Sequence, residues 1–193
     1  MSAHPDLIDR DDLVLLVVDV QDRLAAAMDA RDATVAAIAR LVRVAAIVGA
    51  PIVVTRQYPQ GLGGTVPEIE AALEQASEAV AVSIVDKTAF CACEEPGFSA
   101  VLGLSGRRQV AIVGMETHIC VTQTALALAA SGYRVHVVED ACCSRRARDH
   151  GTALARLRAH GVTVTCAESL MYEAVGRAAT PEFKRLLAVV KEG

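Results

Sequence analysis

The strongest constraint on the fold is an order of segments that recurs along this 193-residue chain: an apolar pattern of helical period, a glycine, and a short run of β-branched residues. Residues 34–48 place apolar side chains at helical spacing, and Gly49 and Pro51 end the pattern before the β-branched run at residues 52–55. Such alternation predicts parallel strands joined by crossover helices. The six predicted strands are residues 13–18, 52–55, 80–85, 110–113, 133–138 and 162–165.

Length and composition fit one α/β domain over residues 1–193, with helices on both faces of the sheet. Hydrophobic residues make up 53% of the chain, which excludes a disordered chain, and aromatic residues make up only 3%, so that Ala, Val, Leu and Ile must fill the core. The scarcity of aromatic residues and the net charge of −4 argue against binding of nucleic acid bases and phosphates. We therefore expect a small-molecule substrate and no nucleic acid partner.

The N-terminus and the cysteines predict a soluble, cytoplasmic protein. Residues 1–12 are polar and acidic and lack the basic and apolar regions of a secretory signal. No apolar run approaches the ~18 residues that a membrane-spanning helix needs, so no membrane partner is expected. Without a signal, the six cysteines of a chain this long are expected to be reduced thiols rather than disulfides.

Reactive side chains follow three of the predicted strands. Asp19 follows the first strand, Lys87 the third and Cys120 the fourth, and parallel sheets gather their sites at the carboxyl ends of strands. Cys120 lies where a helix is predicted to begin, and unpaired N–H groups there favour a thiolate, so the sequence predicts a lowered thiol pKa. Each residue alone also fits a structural role: Cys120 as a small buried side chain, Asp19 as a turn cap, and Lys87 as a surface lysine.

The segments around these residues resemble the motifs of the isochorismatase-like cysteine hydrolases. The three matching motifs are residues 15–21, 86–90 and 114–124. The resemblance covers nearly the whole chain, and residues 57–59 and 138–144 look more like the isochorismatase domain-containing branch than the nicotinamidase branch. It implies a three-layer α/β/α doubly wound fold, an Asp19–Lys87–Cys120 catalytic triad, a cis peptide between residues 115 and 116, and assembly as a homo-oligomer.

The chemistry of these side chains can be argued beside the resemblance. Cys120 would attack a carbonyl carbon and form a thioester, Asp19 would move the proton, and Lys87 would keep both anions charged. The backbone N–H groups of Glu116 and Cys120 are predicted to form the oxyanion hole. The predicted substrate-binding residues lie in the turns at the same strand ends: Gln57, Tyr58, Phe90 and Thr117.

Two departures from the family pattern concern metal binding and the identity of the substrate. Nicotinamidases carry an Asp-x-His metal motif after the second strand, whereas residues 55–60 contain neither Asp nor His. We therefore predict no metal and no cofactor, and nicotinamide is disfavoured as a substrate. Arg56 is the one cation placed near the predicted site for the two carboxylates of isochorismate, which disfavours that substrate as well.

The remaining histidine and cysteine patterns point to structural roles. His118 lies two positions from Cys120, and side chains at that spacing on a helix do not face each other. The pairs Cys91 and Cys93, and Cys142 and Cys143, lack C-x-x-C spacing and a matching His pair, so they are predicted to be structural thiols.

The sequence thus predicts a metal-independent cysteine hydrolase that cleaves a small amide or related C–N bond through a thioester on Cys120. Two alternatives remain open. One is a binding or scaffold protein that keeps the fold without turnover. The other is a thiol redox sensor in which Cys120 pairs with Cys91 or Cys143.

Overall fold

The computed structural model describes residue 4 and residues 6–191, which form one domain of alternating strands and helices. The strands are β1 (Leu13–Val18), β2 (Ile52–Gln57), β3 (Val82–Lys87), β4 (Gln109–Met115), β5 (Arg134–Cys143) and β6 (Thr163–Thr165). The helices are α1 (Asp22–Ala25), α2 (Arg31–Val48), α3 (Pro59–Leu62), α4 (Pro67–Ser77), α5 (Phe98–Gly103), α6 (Thr122–Ala130), α7 (Ala147–Ala159), α8 (Ala167–Val175) and α9 (Pro181–Val190). A 3₁₀ turn covers Ala92–Glu94 and a π-helical turn covers Thr117–Val121.

The sheet is all parallel, with the strand order β3-β2-β1-β4-β5-β6. From the central strand β1 the chain winds outward through β2 and β3, and then through β4, β5 and β6 on the other side. The predicted three-layer, doubly wound α/β/α fold with a six-stranded parallel sheet is therefore confirmed. The strand order reverses between β1 and β4, and ligand sites of such folds lie outside the carboxyl ends of the strands at that point.

Both faces of the sheet are buried, which explains why β1 is apolar at every position. Leu13, Leu15 and Val17 belong to a core shared with α2, α4, α8 and α9. The alternate side chains of β1 belong to a second core shared with α5, α6 and α7. The two cores fix the register of β1 and so the position of the residue that follows it.

The boundaries of several elements differ from the sequence prediction. β3 ends at Lys87 instead of residue 85, and β5 continues to Cys143 after a register shift against β4. α8 was not predicted. Residues 192–193, and residues 1–3 and 5 of the acidic N-terminal stretch, lie outside the described residues. None of the helices described has the length and apolarity to cross a membrane.

Candidate active site

The three predicted reactive residues lie together at the carboxyl edge of the sheet. Asp19 directly follows β1, Lys87 is the last residue of β3, and Cys120 lies in the π-helical turn between β4 and α6. The Lys87 Nζ atom lies 2.7 Å from Asp19 Oδ2, and both side chains are fully buried. The interpretation of Lys87 as an ordinary surface lysine is therefore wrong, because its ammonium group is inside the protein next to a carboxylate.

The Asp19 carboxylate is held by groups from two neighbouring strands. The Thr55 hydroxyl of β2 donates a hydrogen bond of 2.7 Å to Oδ1, while Lys87 of β3 donates to Oδ2. The backbone of Asp19 has a φ of 53°, in the left-handed region that Asp tolerates better than most residues. Its N–H group donates to the Thr55 carbonyl at 3.1 Å. Backbone and side chain thus orient the carboxylate together.

The Lys87 ammonium group has an acceptor for each of its three donors. Besides Asp19, it donates to Gln57 Oε1 at 2.6 Å and to the Ala89 carbonyl at 3.2 Å. Full pairing offsets the cost of burying the charge. The ammonium group is therefore fixed in one position beside Asp19.

The Cys120 thiol is only 5% exposed, and the charges of both Asp19 and Lys87 act on its pKa. Burial and, to a smaller extent, the nearby Asp19 carboxylate together raise the pKa of Cys120 to about 12, against the opposing effect of Lys87. The predicted lowering of the thiol pKa by the helix start is therefore wrong, because desolvation and the carboxylate outweigh the cation. At neutral pH the thiol is protonated, and a base must take its proton before sulfur can act as a nucleophile.

Of the two residues predicted for the oxyanion hole, Glu116 lies in the loop before the nucleophile and Cys120 in the π-helical turn. The peptide bond between Met115 and Glu116 is cis, as the family resemblance implies. The Glu116 carbonyl accepts the N–H groups of Ile119 at 3.0 Å and Val121 at 3.3 Å. The role of the Glu116 and Cys120 N–H groups as oxyanion donors stays a prediction.

The predicted substrate-binding residues divide into two groups. Tyr58 and Phe90 are 55% and 56% exposed, in the turns that follow β2 and β3. Gln57 and Thr117 are buried, and their polar groups are engaged inside the protein. The Gln57 amide accepts from Lys87 and donates to the Thr88 carbonyl at 2.8 Å, so its contacts favour holding Lys87 over binding substrate. The Thr117 hydroxyl lies 2.9 Å from Nδ1 of His150 in α7.

Two residues of the buried network were not predicted. Thr55 binds Asp19, and Gln21 binds the backbone of Gln57 through both ends of its amide, at 2.6 and 3.0 Å. Both are fully buried polar residues. The sequence gives one weak indication of both residues: each is a polar residue at or just beyond the carboxyl end of an apolar strand. Gln21 also lies inside the first family motif.

The other motif residues have structural partners. Nδ1 of His118 lies 2.9 Å from the Ser144 hydroxyl, and the Arg56 guanidinium pairs with Asp86 at 2.6 and 3.0 Å. The six cysteines are free thiols. Within residues 4 and 6–191, no three His, Cys, Asp or Glu side chains are grouped so that they could hold a metal ion. The independence of the reaction from metal stays a prediction.

Comparison with known proteins identifies the family. The sequence matches the isochorismatase domain over residues 14–169. It is 38% identical over 180 residues to isochorismatase domain-containing protein 2 of Bos taurus, covering 93% of this chain and 83% of that protein. It is 35% identical over 178 residues to isochorismatase domain-containing protein 1 of Salmo salar, covering 92% of this chain and 60% of that protein. A solved structure described as MAR1 ribonuclease from Caenorhabditis elegans has a TM-score of 0.87 and 33% identity, covering 96% of this chain and 92% of that one. The chain belongs to the isochorismatase family.

Proposed function

We propose that this protein is a metal-independent cysteine hydrolase that cleaves a small amide or related C–N bond through a thioester on Cys120. One observation carries the proposal: the buried Asp19–Lys87 ion pair and the buried thiol of Cys120 lie at the same edge of the sheet, near enough for both charges to act on the pKa of the thiol. A buried ion pair is costly and adds little to stability by itself. Beside a thiol, however, it provides the base that the thiol needs.

The reaction begins with proton transfer from Cys120 to Asp19 as sulfur attacks the carbonyl carbon. The tetrahedral intermediate collapses when the protonated Asp19 gives this proton to the leaving amine, and the acyl group remains on Cys120 as a thioester. Asp19 then takes a proton from water, which attacks the thioester. The acid leaves, the proton returns to sulfur, and the thiol is regenerated.

Lys87 and the oxyanion donors stabilise the charges of this reaction. The fixed ammonium group pairs with the Asp19 carboxylate and favours the thiolate as the proton moves. The backbone N–H groups of Glu116 and Cys120 would receive the developing oxyanion, and losing one such donor typically costs about 10²–10³ in kcat. Tyr58 and Phe90 are exposed apolar surfaces from which a small substrate could gain contacts at the rim.

A second candidate is cleavage of RNA. It is favoured by the name of the Caenorhabditis elegans structure, which is 33% identical to this chain. Arg145, Arg146 and Arg148 are exposed on the segment after β5, which contacts the loop of Cys120, and they offer cations for phosphates. The net charge of −4 and the burial of the thiol favour the amide hydrolase.

The test is release of ammonia or amine from a panel of small amides, measured for wild type and Cys120→Ser. Turnover that the substitution lowers by more than about 10³-fold would support the proposal. The same preparations are incubated with single-stranded RNA. Cleavage of RNA that depends on Cys120, without amide turnover, would favour the second candidate. Absence of both activities and of any acyl adduct would favour a scaffold, and a reversible disulfide of Cys120 would favour a redox sensor.

A further inference from the structure

The loop that precedes Cys120 is bound by the segment of residues 144–150, which we call the clasp. It follows β5 and enters α7. Three contacts join the loop to the clasp. They are Glu116 to Arg145, Thr117 Oγ1 to His150 Nδ1 at 2.9 Å, and His118 Nδ1 to Ser144 Oγ at 2.9 Å. Three consecutive loop residues are thus held from outside the loop.

The contact of Arg145 with Glu116 joins an exposed side chain to a buried one. The Glu116 side chain is 4% exposed, whereas that of Arg145 is 59% exposed. Arg145 donates its backbone N–H to Oε2 at 2.9 Å and its Nε to both carboxylate oxygens at 3.1 Å. One residue therefore supplies three donor contacts to a buried carboxylate. The reaction proposed above makes no use of this carboxylate.

The position of Glu116 determines the position of the nucleophile. Its carbonyl accepts the N–H groups of Ile119 and Val121, the residues on either side of Cys120. A shift of Glu116 would move these two bonds, and Cys120 would move with them. A displacement of about 1 Å in a reacting group can cost about 10²-fold in rate.

We propose that Arg145 is a positioning residue for Cys120: by binding the Glu116 carboxylate, it fixes the loop that presents the thiol to Asp19. This inference rests on the proposed function, because it assigns Arg145 a role in the reactivity of the proposed nucleophile. A merely structural ion pair would affect stability and leave the reactivity of the folded protein unchanged.

The test is the rate of iodoacetamide labelling of Cys120 at 25 °C, followed by peptide mass spectrometry. Exposed Cys166 in the same molecule serves as an internal control for the reagent, and buried Cys142 serves as an internal control for global opening. The variants are Arg145→Ala, Arg145→Lys, Glu116→Gln, the Glu116→Gln/Arg145→Ala double variant, and Arg146→Ala at the neighbouring exposed arginine as the matched control. Melting temperatures are measured in parallel, so that labelling is compared only between folded proteins.

We expect Arg145→Ala to slow labelling of Cys120 by about 10-fold or more, with Cys166 unchanged. Arg145→Lys should restore part of the rate, because an ammonium group keeps the charge without the Nε geometry. Arg146→Ala should match wild type. In the Glu116→Gln background the Arg145→Ala substitution should add little, because the two residues act through one contact.

Three results would overturn the inference. If Arg145→Ala lowers the melting temperature and leaves the labelling rate of Cys120 unchanged, the ion pair is only structural. If the labelling rate of buried Cys142 or exposed Cys166 changes in parallel with that of Cys120, the effect is global. If Cys120 of the wild-type protein does not react at all, the proposed function fails and the positioning role fails with it. If Cys120 reacts in the wild type and equally fast in the Arg145 variant, only the positioning role is refuted.

Discussion

At the scale of single residues, the site is organised around the buried ammonium group of Lys87. Its three donors bind Asp19, Gln57 and Ala89, so that groups from three segments are fixed by one cation. The Asp19 carboxylate takes its other hydrogen bond from Thr55. In the proposed reaction Asp19 would act as a base whose orientation is already set, which would reduce the reorganisation needed when the proton moves.

Replacement of Thr55 by Val should remove one of the hydrogen bonds that hold the Asp19 carboxylate. The variant keeps the shape of the side chain and removes the hydroxyl that donates to Asp19 Oδ1. We expect a loss of about 1–3 kcal/mol in the free energy of unfolding, because a buried charged acceptor loses its donor. Urea denaturation measures this loss. Thr55→Ser, which keeps the hydroxyl, is the control, and equal stability of Thr55→Val and wild type would refute the role of the bond.

The sequence reveals the three reactive residues more readily than their partners. Asp19, Lys87 and Cys120 stand out because charged or nucleophilic side chains follow apolar runs. Thr55 does not, because threonine is an ordinary residue in strands and its partner lies on another strand. The raised thiol pKa could not be predicted, because a helix start is visible in the sequence but the depth of burial is not.

At the scale of elements, β4 approaches β1 closely at Gly114. Its φ is 123°, and a Cβ atom there would overlap the backbone of Val18, the residue before Asp19. Gly114→Ala should therefore cost about 3 kcal/mol or more, from the backbone strain and the overlap. Denaturation with urea tests this expectation.

Gly151 in α7 is the matched control for that substitution, because a Cβ atom there meets no atom within 4 Å. Gly151→Ala should stabilise the protein by up to about 1 kcal/mol, since alanine favours the helix interior. Gly114→Ala that is as stable as wild type would contradict the close approach of the two strands.

The order and type of most elements were predictable because helical and β-branched patterns alternate with glycines between them. The ends of the elements were harder to predict. β3 continues to Lys87, whose ammonium group has a buried partner in Asp19, and β5 passes through exposed Glu139 and Asp140 to reach Cys143. Tertiary partners, which the sequence pattern does not show, decide both boundaries.

At the scale of the whole molecule, a buried histidine links the sheet to the N-terminal segment. His136 Nε2 lies 3.0 Å from Gln109 Nε2, so the neutral ring accepts this bond, and the Gln109 amide also binds the backbone of Leu7 and Asp9. Burial lowers the pKa of His136 to about 4, and Arg134 acts in the same direction.

The lowered pKa of His136 predicts that acid lowers the free energy of unfolding. The pKa of His136 is lower in the folded than in the unfolded chain, where it is about 6.5, so between these values the unfolded chain binds more protons. Stability should fall as pH drops from about 6.5 to about 4, by on the order of 3 kcal/mol. Urea denaturation across this range measures the slope. The His136→Gln substitution should reduce the slope of stability against pH. The control His160→Gln, at the exposed end of α7, should leave the slope unchanged. An unchanged slope in His136→Gln would show that His136 is not the group responsible.

Assembly as a homo-oligomer is predicted from the family resemblance. Exposed Ile84 on the edge strand β3 is one apolar side chain that a second copy could cover. Sedimentation equilibrium should give a mass that is a multiple of the 20.3 kDa chain. A single species of 20.3 kDa at micromolar concentration would refute the prediction.

The central claim is that Cys120 forms an acyl intermediate with Asp19 as its base. The most direct measurement is acid-quenched mass spectrometry of the protein mixed with 4-nitrophenyl acetate at neutral pH, for wild type, Cys120→Ser and Asp19→Asn. We expect one acetyl group on Cys120 in wild type, none at this position in Cys120→Ser, and acylation at least about 10²-fold slower in Asp19→Asn. Absence of acetyl-Cys120 in wild type, or an equal rate in folded Asp19→Asn, would contradict the account.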